Sequence, residues 1–150
     1  MSLYGTEVVG AHWPLDGPHS PEGIESAAVA LAELVRYLNR ATRPQHELLT
    51  EAPHVAGLLG SLATAAHRER QLCRQLSVSA RGLADDPTVR HDLGRDDPEP
   101  SRQMAATAAR NAAAELGFAV DVAEELGGFL DRAHREVEWL SHDRPGWWSV

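Results

Sequence analysis

The chain has 150 residues, a net charge of −8 and 43% hydrophobic residues, but only 5% aromatics. Its length favours one domain with a sizeable core. Its acidity argues against a general nucleic-acid binder, which needs a basic excess to neutralise phosphates. Ala and Leu dominate the apolar residues and β-branched residues are sparse, so an all-α fold is predicted.

All fourteen basic residues are Arg. This supplies planar, permanently charged donors, and a high-GC coding bias explains it equally well. A single cysteine, Cys73, cannot close an intramolecular disulfide, which fits a reducing compartment. Met1 to Glu7 lack a basic start followed by an apolar run, so no signal peptide is read there. No apolar run approaches the roughly 20 residues of a membrane helix. A cytoplasmic protein is expected.

Residues 1–20 are punctuated by Gly5, Gly10, Gly17, Pro14 and Pro18 and read as an irregular arm. Within it Val8-Val9 suit a short extended piece, and Leu3, Tyr4 and Trp13 are its packing residues. The first long helix starts at Ser20-Pro21-Glu22, with Ser20 as N-cap and Pro21 in the first turn, and ends before Pro44. Ile24, Leu31 and Leu38 recur every seven residues, as do Ala27, Leu34 and Ala41, with Ala28 and Val35 widening the stripe.

The second long helix has two possible entries. Pro44 opens a short turn before a fresh start at Pro53, or one helix runs through with a kink at Pro53. Beyond it Val55, Leu59, Leu62, Ala66, Glu69, Cys73, Leu76 and Ala80 alternate in steps of four and three, with Leu58, Ala65 and Leu72 beside them. Gly82 is the expected C-terminal cap. Residues 83–100 form an acidic, Pro-rich connection in which Asp86-Pro87 begins one short helical turn.

The third long helix is predicted from about Ser101 to about Ser141. Its seam is Ala105, Ala109, Ala112, Leu116, Ala119, Ala123, Leu126, Leu130, Ala133, Val137 and Leu140, spaced four and three throughout. The phase holds across Gly117 and Gly127-Gly128, so one helix is kept despite about 1 kcal/mol per interior glycine. Residues 142–150 are a tail. The expected architecture is a three-helix up-down-up bundle with a very long third helix and coiled-coil-like packing. That helix outreaches its neighbours and is poor in large side chains, so part of it needs another cover, either the terminal arms or a second subunit, and a homodimer is the favoured reading.

Under that topology His46, His54, Glu51, Asp131, His134, Glu138 and His142 share one pole. Imidazole beside carboxylate suits a divalent metal, with His46, His54, His134 and Glu138 as candidates. However, Glu51-Ala52-Pro53-His54 is broken by proline and no His-Glu-x-x-His motif occurs, so solvated ion pairs are the favoured reading. Glu69 is the charged member of its seam, and a pairing with Arg110 would fix the register. Arg68, Arg70, Arg74, Arg81, Arg102 and Arg110 gather at the opposite pole as an anion patch, offset by Glu22, Glu25 and the acids from Asp85 to Glu99. Tyr37, Trp13, Trp139, Trp147 and Trp148 are candidates for contact with a protein partner, or for a satellite core of the two tails. Cys73 reads as a buried structural thiol.

Leu34-Val35-Arg36-Tyr37-Leu38-Asn39-Arg40-Ala41-Thr42 and Leu59-Gly60-Ser61-Leu62-Ala63-Thr64-Ala65-Ala66-His67 resemble small helical proteins of Streptomyces and related actinomycetes. That group is associated with plasmid or integrative-element regions and has no assigned function. The resemblance covers about a third of the chain, lies in packing patterns and implies no site residues.

The residues carry no catalytic signature and no cofactor motif. A non-enzymatic assembly or adaptor protein is expected, self-associating and meeting an unidentified protein partner. A DNA-associated regulator using the Arg-rich pole is the alternative, and a metal- or small-ligand-binding bundle ranks third.

Overall fold

The computed structural model describes residues 4–94 and 96–140, with the backbone alone described for Tyr4. Among the described residues every regular element is helical: α1 (Tyr4–His12), α2 (Pro21–Ala41), α3 (Ala52–Asp85) and α4 (Pro98–Glu138), with 3-10 turns at Pro44–His46 and Asp92–Gly94. No described helix is long and apolar enough to cross a membrane. The chain divides into two compact units, Met1–His54 and Val55–Val150.

In the first unit, α1 replaces the irregular arm, and Val8-Val9 are helical rather than extended. The reason is local. Gly5 and Gly10 each cost a helix about 1 kcal/mol but do not break it, whereas no proline intervenes before Pro14. The last turn closes through Trp13 N–H on Val9 O (2.8 Å) and His12 Nδ1 on Val8 O (2.9 Å). Gly17 follows at φ +84°, a left-handed conformation suited to glycine, before a cis bond to Pro18.

α2 begins as its residues dictate. Ser20 Oγ accepts from Gly23 N–H at 3.1 Å and Pro21 occupies the first turn, where its missing N–H is not needed. Thr42 ends the helix, donating both its N–H and its hydroxyl to Leu38 O. The 3-10 turn at Pro44–His46 and the fresh start at Ala52 decide the entry to α3: Pro53 stands in its first turn and there is no through-running kink.

The second unit is built on an antiparallel pair. Ser77 Oγ of α3 donates to Ala113 O of α4, Arg70 pairs with Glu124, and His134 of α4 donates to Ala56 O of α3. α3 passes through Gly82 to Asp85, overturning the expected cap. It stops because Pro87 disfavours helical geometry at Asp86. α4 starts three residues earlier than expected, since Pro98 and Pro100 fit a first turn whose N–H groups have no intrahelical acceptor. Its forty-one residues span about 60 Å.

The seam between α3 and α4 keeps the four-three spacing but is turned toward smaller side chains. On α3 the buried or half-buried line is Ala56, Leu59, Ala63, Ala66, Arg70, Cys73, Ser77 and Ala80. Ala56, Ala63, Arg70 and Ser77 thus take the places expected for Val55, Leu62, Glu69 and Leu76. On α4 the line is Ala113, Leu116, Val120, Ala123, Gly127, Leu130 and His134, displacing Ala112, Ala119, Leu126 and Ala133 by one residue. Ala63 and Ala113 are 2% and 3% exposed, whereas Leu76 is 45% exposed and Leu126 46%. Each alanine buries little, on the order of 0.8 kcal/mol per methylene. Small residues let the two backbones approach, so dispersion along the whole line replaces the contribution of a few large side chains.

Between the helices the chain doubles back on the start of α4. Ser101, fully buried, accepts His91 N–H at its Oγ (3.0 Å) and donates to His91 O (2.9 Å). A Cβ at Gly94 would sit 3.0 Å from Ser101 Cα, so glycine permits this close crossing.

Candidate functional site

The most organised polar arrangement lies in the α3–α4 pair and centres on two histidines. His67 of α3 lays its ring against Gly127 of α4, where an added Cβ would meet ring Cε1 at 2.6 Å. Its Nε2 donates to Asp131 Oδ2 at 2.8 Å. His134 of α4 lies against Gly60 of α3, with a corresponding distance of 3.4 Å, and its Nδ1 donates to Ala56 O at 2.9 Å. Each helix therefore offers a glycine notch to the other's imidazole.

This reciprocity has a sequence origin. Leu59-Gly60…Ala66-His67 and Leu126-Gly127…Ala133-His134 carry the same four residues at the same spacing. Two antiparallel copies of one pattern place each histidine over the other's glycine, giving local pseudo-twofold symmetry. Apolar periodicity does not reveal this repeat, because glycine and histidine carry no weight in a hydrophobic stripe. The signal that finds it is the matched seven-residue step from Gly to His.

The arrangement is built for packing and hydrogen bonding. His67 and Asp131 are 47% and 42% exposed at their side chains. The nearby hydroxyls of Ser61 and Thr64 are turned to their own helix, donating to Gly57 O and Gly60 O. Among the described residues no three His, Cys, Asp or Glu side chains converge as metal ligands. His134 engages Ala56 O, Glu138 is exposed at the end of α4, and His46 and His54 belong to the first unit. His142 lies outside the described residues.

The expected pairing of Glu69 with Arg110 is overturned. Arg110 lines grooves with Ala84 and Asp85, whereas Glu69 stands fifteen residues back along α3, about 22 Å by helical rise. The observed register sets Glu69 level with the region of Glu124, well beyond Arg110 along α4. The bridge at that height joins neighbours instead: Arg70 reaches Glu124 at 3.0 Å.

The arginine patch is interleaved with acids. Arg102 lies 3.7 Å from Glu99, and Arg102 and Arg110 border a groove of about 450 Å³ that also holds Asp85 and Asp86. Arg81 joins Arg110 and Asp85 in a second groove. Arg68 and Arg74 are exposed on α3. Beside these grooves Asp86 accepts the Thr88 hydroxyl at 2.6 Å and the Thr88 N–H at 2.8 Å. Those bonds, the hydroxyl's foremost, hold its carboxyl below the ordinary carboxylate value, with Arg90 adding a smaller attraction.

The aromatic candidates do not form one described cluster. Trp13 packs beside His12 with ring centroids 5.6 Å apart. Tyr37 on α2 is exposed, Trp139 after α4 is 84% exposed, and Trp147 and Trp148 lie outside the described residues. Cys73 is a free, half-buried thiol on the α3 seam.

The fold is all-α, and its polar groups define a packed helical pair. Compared with known proteins, the chain matches no family model, no curated protein and no solved structure.

Proposed function

We propose that this is a non-enzymatic assembly protein that acts through self-association. The observation that carries the reading is the division of residue sizes in the helical pair. Most of the fully buried seam positions are small, with Ala63, Ala66 and Ala113 at 3% exposure or less, while Phe118, Val122 and Phe129 of α4 are each more than 60% exposed. A chain that buries alanine and leaves phenylalanine outside has apolar surface for another macromolecule to cover. The interleaved acids and the net charge of −8 weigh against DNA as that partner. The single Cys73 fits a cytoplasmic setting.

The test is the mass of the purified chain in solution by light scattering after size exclusion. The reading expects at least twice the 16.3 kDa chain mass at tens of micromolar. A strict monomer throughout that range refutes self-association.

A further inference from the structure

We propose that the turn joining α1 to α2 is a binding pocket for a small, neutral planar ring with one hydrogen-bond donor, as in indole. The proposal stands on the first unit alone and is independent of self-association.

Where α1 ends and α2 begins, the chain encloses a cleft of about 250 Å³. Its apolar lining is Trp13, Leu15 and Ile24, with the rings of Pro14 and Pro18. From α2, Gly23 and Ala27 line it with almost no side chain, and both are half-buried. Two small residues one turn apart leave a depression beside Trp13 that larger ones would fill. Leu15 and Ile24 are 89% and 64% exposed, so the cleft keeps apolar surface in water.

Size and charge select the ligand. A cavity of about 150 Å³ accepts benzene, whereas drug-sized ligands need about 300 Å³ or more. The cleft falls between, which fits a molecule of two fused rings. No Asp, Glu or Arg lines it, in a chain of which 24% is charged. A charged ligand would lose water there without meeting an opposite charge. The tryptophan and proline rings offer flat faces, which suit a planar partner.

His12 supplies the hydrogen bond. Its Nδ1 lies 2.9 Å from Val8 O, and a carbonyl oxygen only accepts, so Nδ1 carries the hydrogen. In the neutral ring Nε2 is then a lone-pair acceptor. The imidazole also packs beside Trp13, ring centroids 5.6 Å apart, which keeps it at the cleft. An indole N–H or a phenol O–H can use that acceptor, and a ring without a donor cannot. His19 shares the cleft and has no hydrogen-bond partner among the described residues, so it can accept or donate as the ligand requires.

The test uses the full chain, with indole as the probe in titration calorimetry. A dissociation constant on the order of 0.1 mM is expected for so small a ligand. Ala27→Leu fills the depression and is expected to weaken binding roughly tenfold or more. 1-Methylindole lacks the N–H and is expected to bind about 3- to 10-fold more weakly than indole. That difference should vanish in His12→Phe. N-acetyltryptophan amide separates two sources of the ring. Binding as tight as indole's points to a partner's side chain, and binding of indole alone points to a free small molecule. Should a variant lose helical circular dichroism, amide shifts of the wild-type chain on adding indole place the site at Trp13, Gly23 and Ala27. No binding at millimolar indole, an unchanged constant in Ala27→Leu, or shifts confined to the α3–α4 pair overturn the proposal. Equal binding of indole and 1-methylindole overturns the role of His12.

Discussion

His67 on α3 and Asp131 on α4, sixty-four residues apart in sequence, are joined by one hydrogen bond of 2.8 Å. Both side chains are nearly half exposed, so solvent screens the pair and its coupling is expected at about 0.5–1 kcal/mol. A double-mutant cycle with His67→Ala and Asp131→Ala, read by urea unfolding, measures it. A coupling indistinguishable from zero would mean that the bond does not persist in solution.

The two glycine notches respond with opposite sign to the same substitution. Gly127→Ala places a methyl 2.6 Å from the His67 ring, which must turn away and release Asp131. A net loss of about 0.5–1 kcal/mol is expected, because the gain in helix propensity offsets part of the damage. Gly60→Ala meets the His134 ring at 3.4 Å, an ordinary contact, and is expected to be neutral or stabilising by up to about 1 kcal/mol. Thermal melts of the two variants decide the matter, and equal shifts would refute the asymmetry.

Seam positions tolerate no added volume. Ala113→Leu puts a large side chain where the residue is 3% exposed and is expected to cost about 1–3 kcal/mol. The adjacent exposed Ala114→Leu should stay within about 0.5 kcal/mol of wild type. If both variants unfold at the same urea concentration, the close approach of α3 and α4 is wrong.

Ser101→Ala removes both hydroxyl bonds to His91 from a fully buried site. The expected cost is about 1–2 kcal/mol. Amide exchange at His91 should quicken more than at seam residues such as Ala66, which locates the loss at the chain reversal.

Asp86 supplies the pH prediction. Its folded-state value lies below the ordinary 3.8, so its carboxylate contributes stability above that value and loses it as pH falls through the lowered one. Thr88→Ala removes the foremost cause and is expected to move the carboxyl upward in a carbon-detected NMR titration. An unchanged midpoint would show that the Thr88 hydroxyl is not the cause.

Helix locations were legible in the residues because caps and prolines act locally. Ser20-Pro21 marks the start of α2, and Pro44 lies just beyond its end. The face each helix buries was harder to read. Leu62 and Ala63, or Leu126 and Gly127, belong to adjacent stripes with the same four-three spacing. Periodicity favours the larger residue, whereas backbone approach favours the smaller. α1 is hard to read because Gly5 and Gly10 weaken the helical signal without breaking the helix. The Glu69–Arg110 expectation failed with the register, which depends on where the chain reverses. Ser101 and His91 set that reversal, and no periodic pattern marks them.

The alanine-lined seam also shapes how this helical pair should melt. Heat capacity and denaturant sensitivity follow the apolar surface exposed on unfolding, and small side chains hide little of it. For its length, the pair should therefore unfold with a shallow denaturant slope and a flat stability curve, so that cooling and warming change its free energy gently. Steep, cooperative unfolding would then report the assembled form, in which the large side chains have also been withdrawn from water.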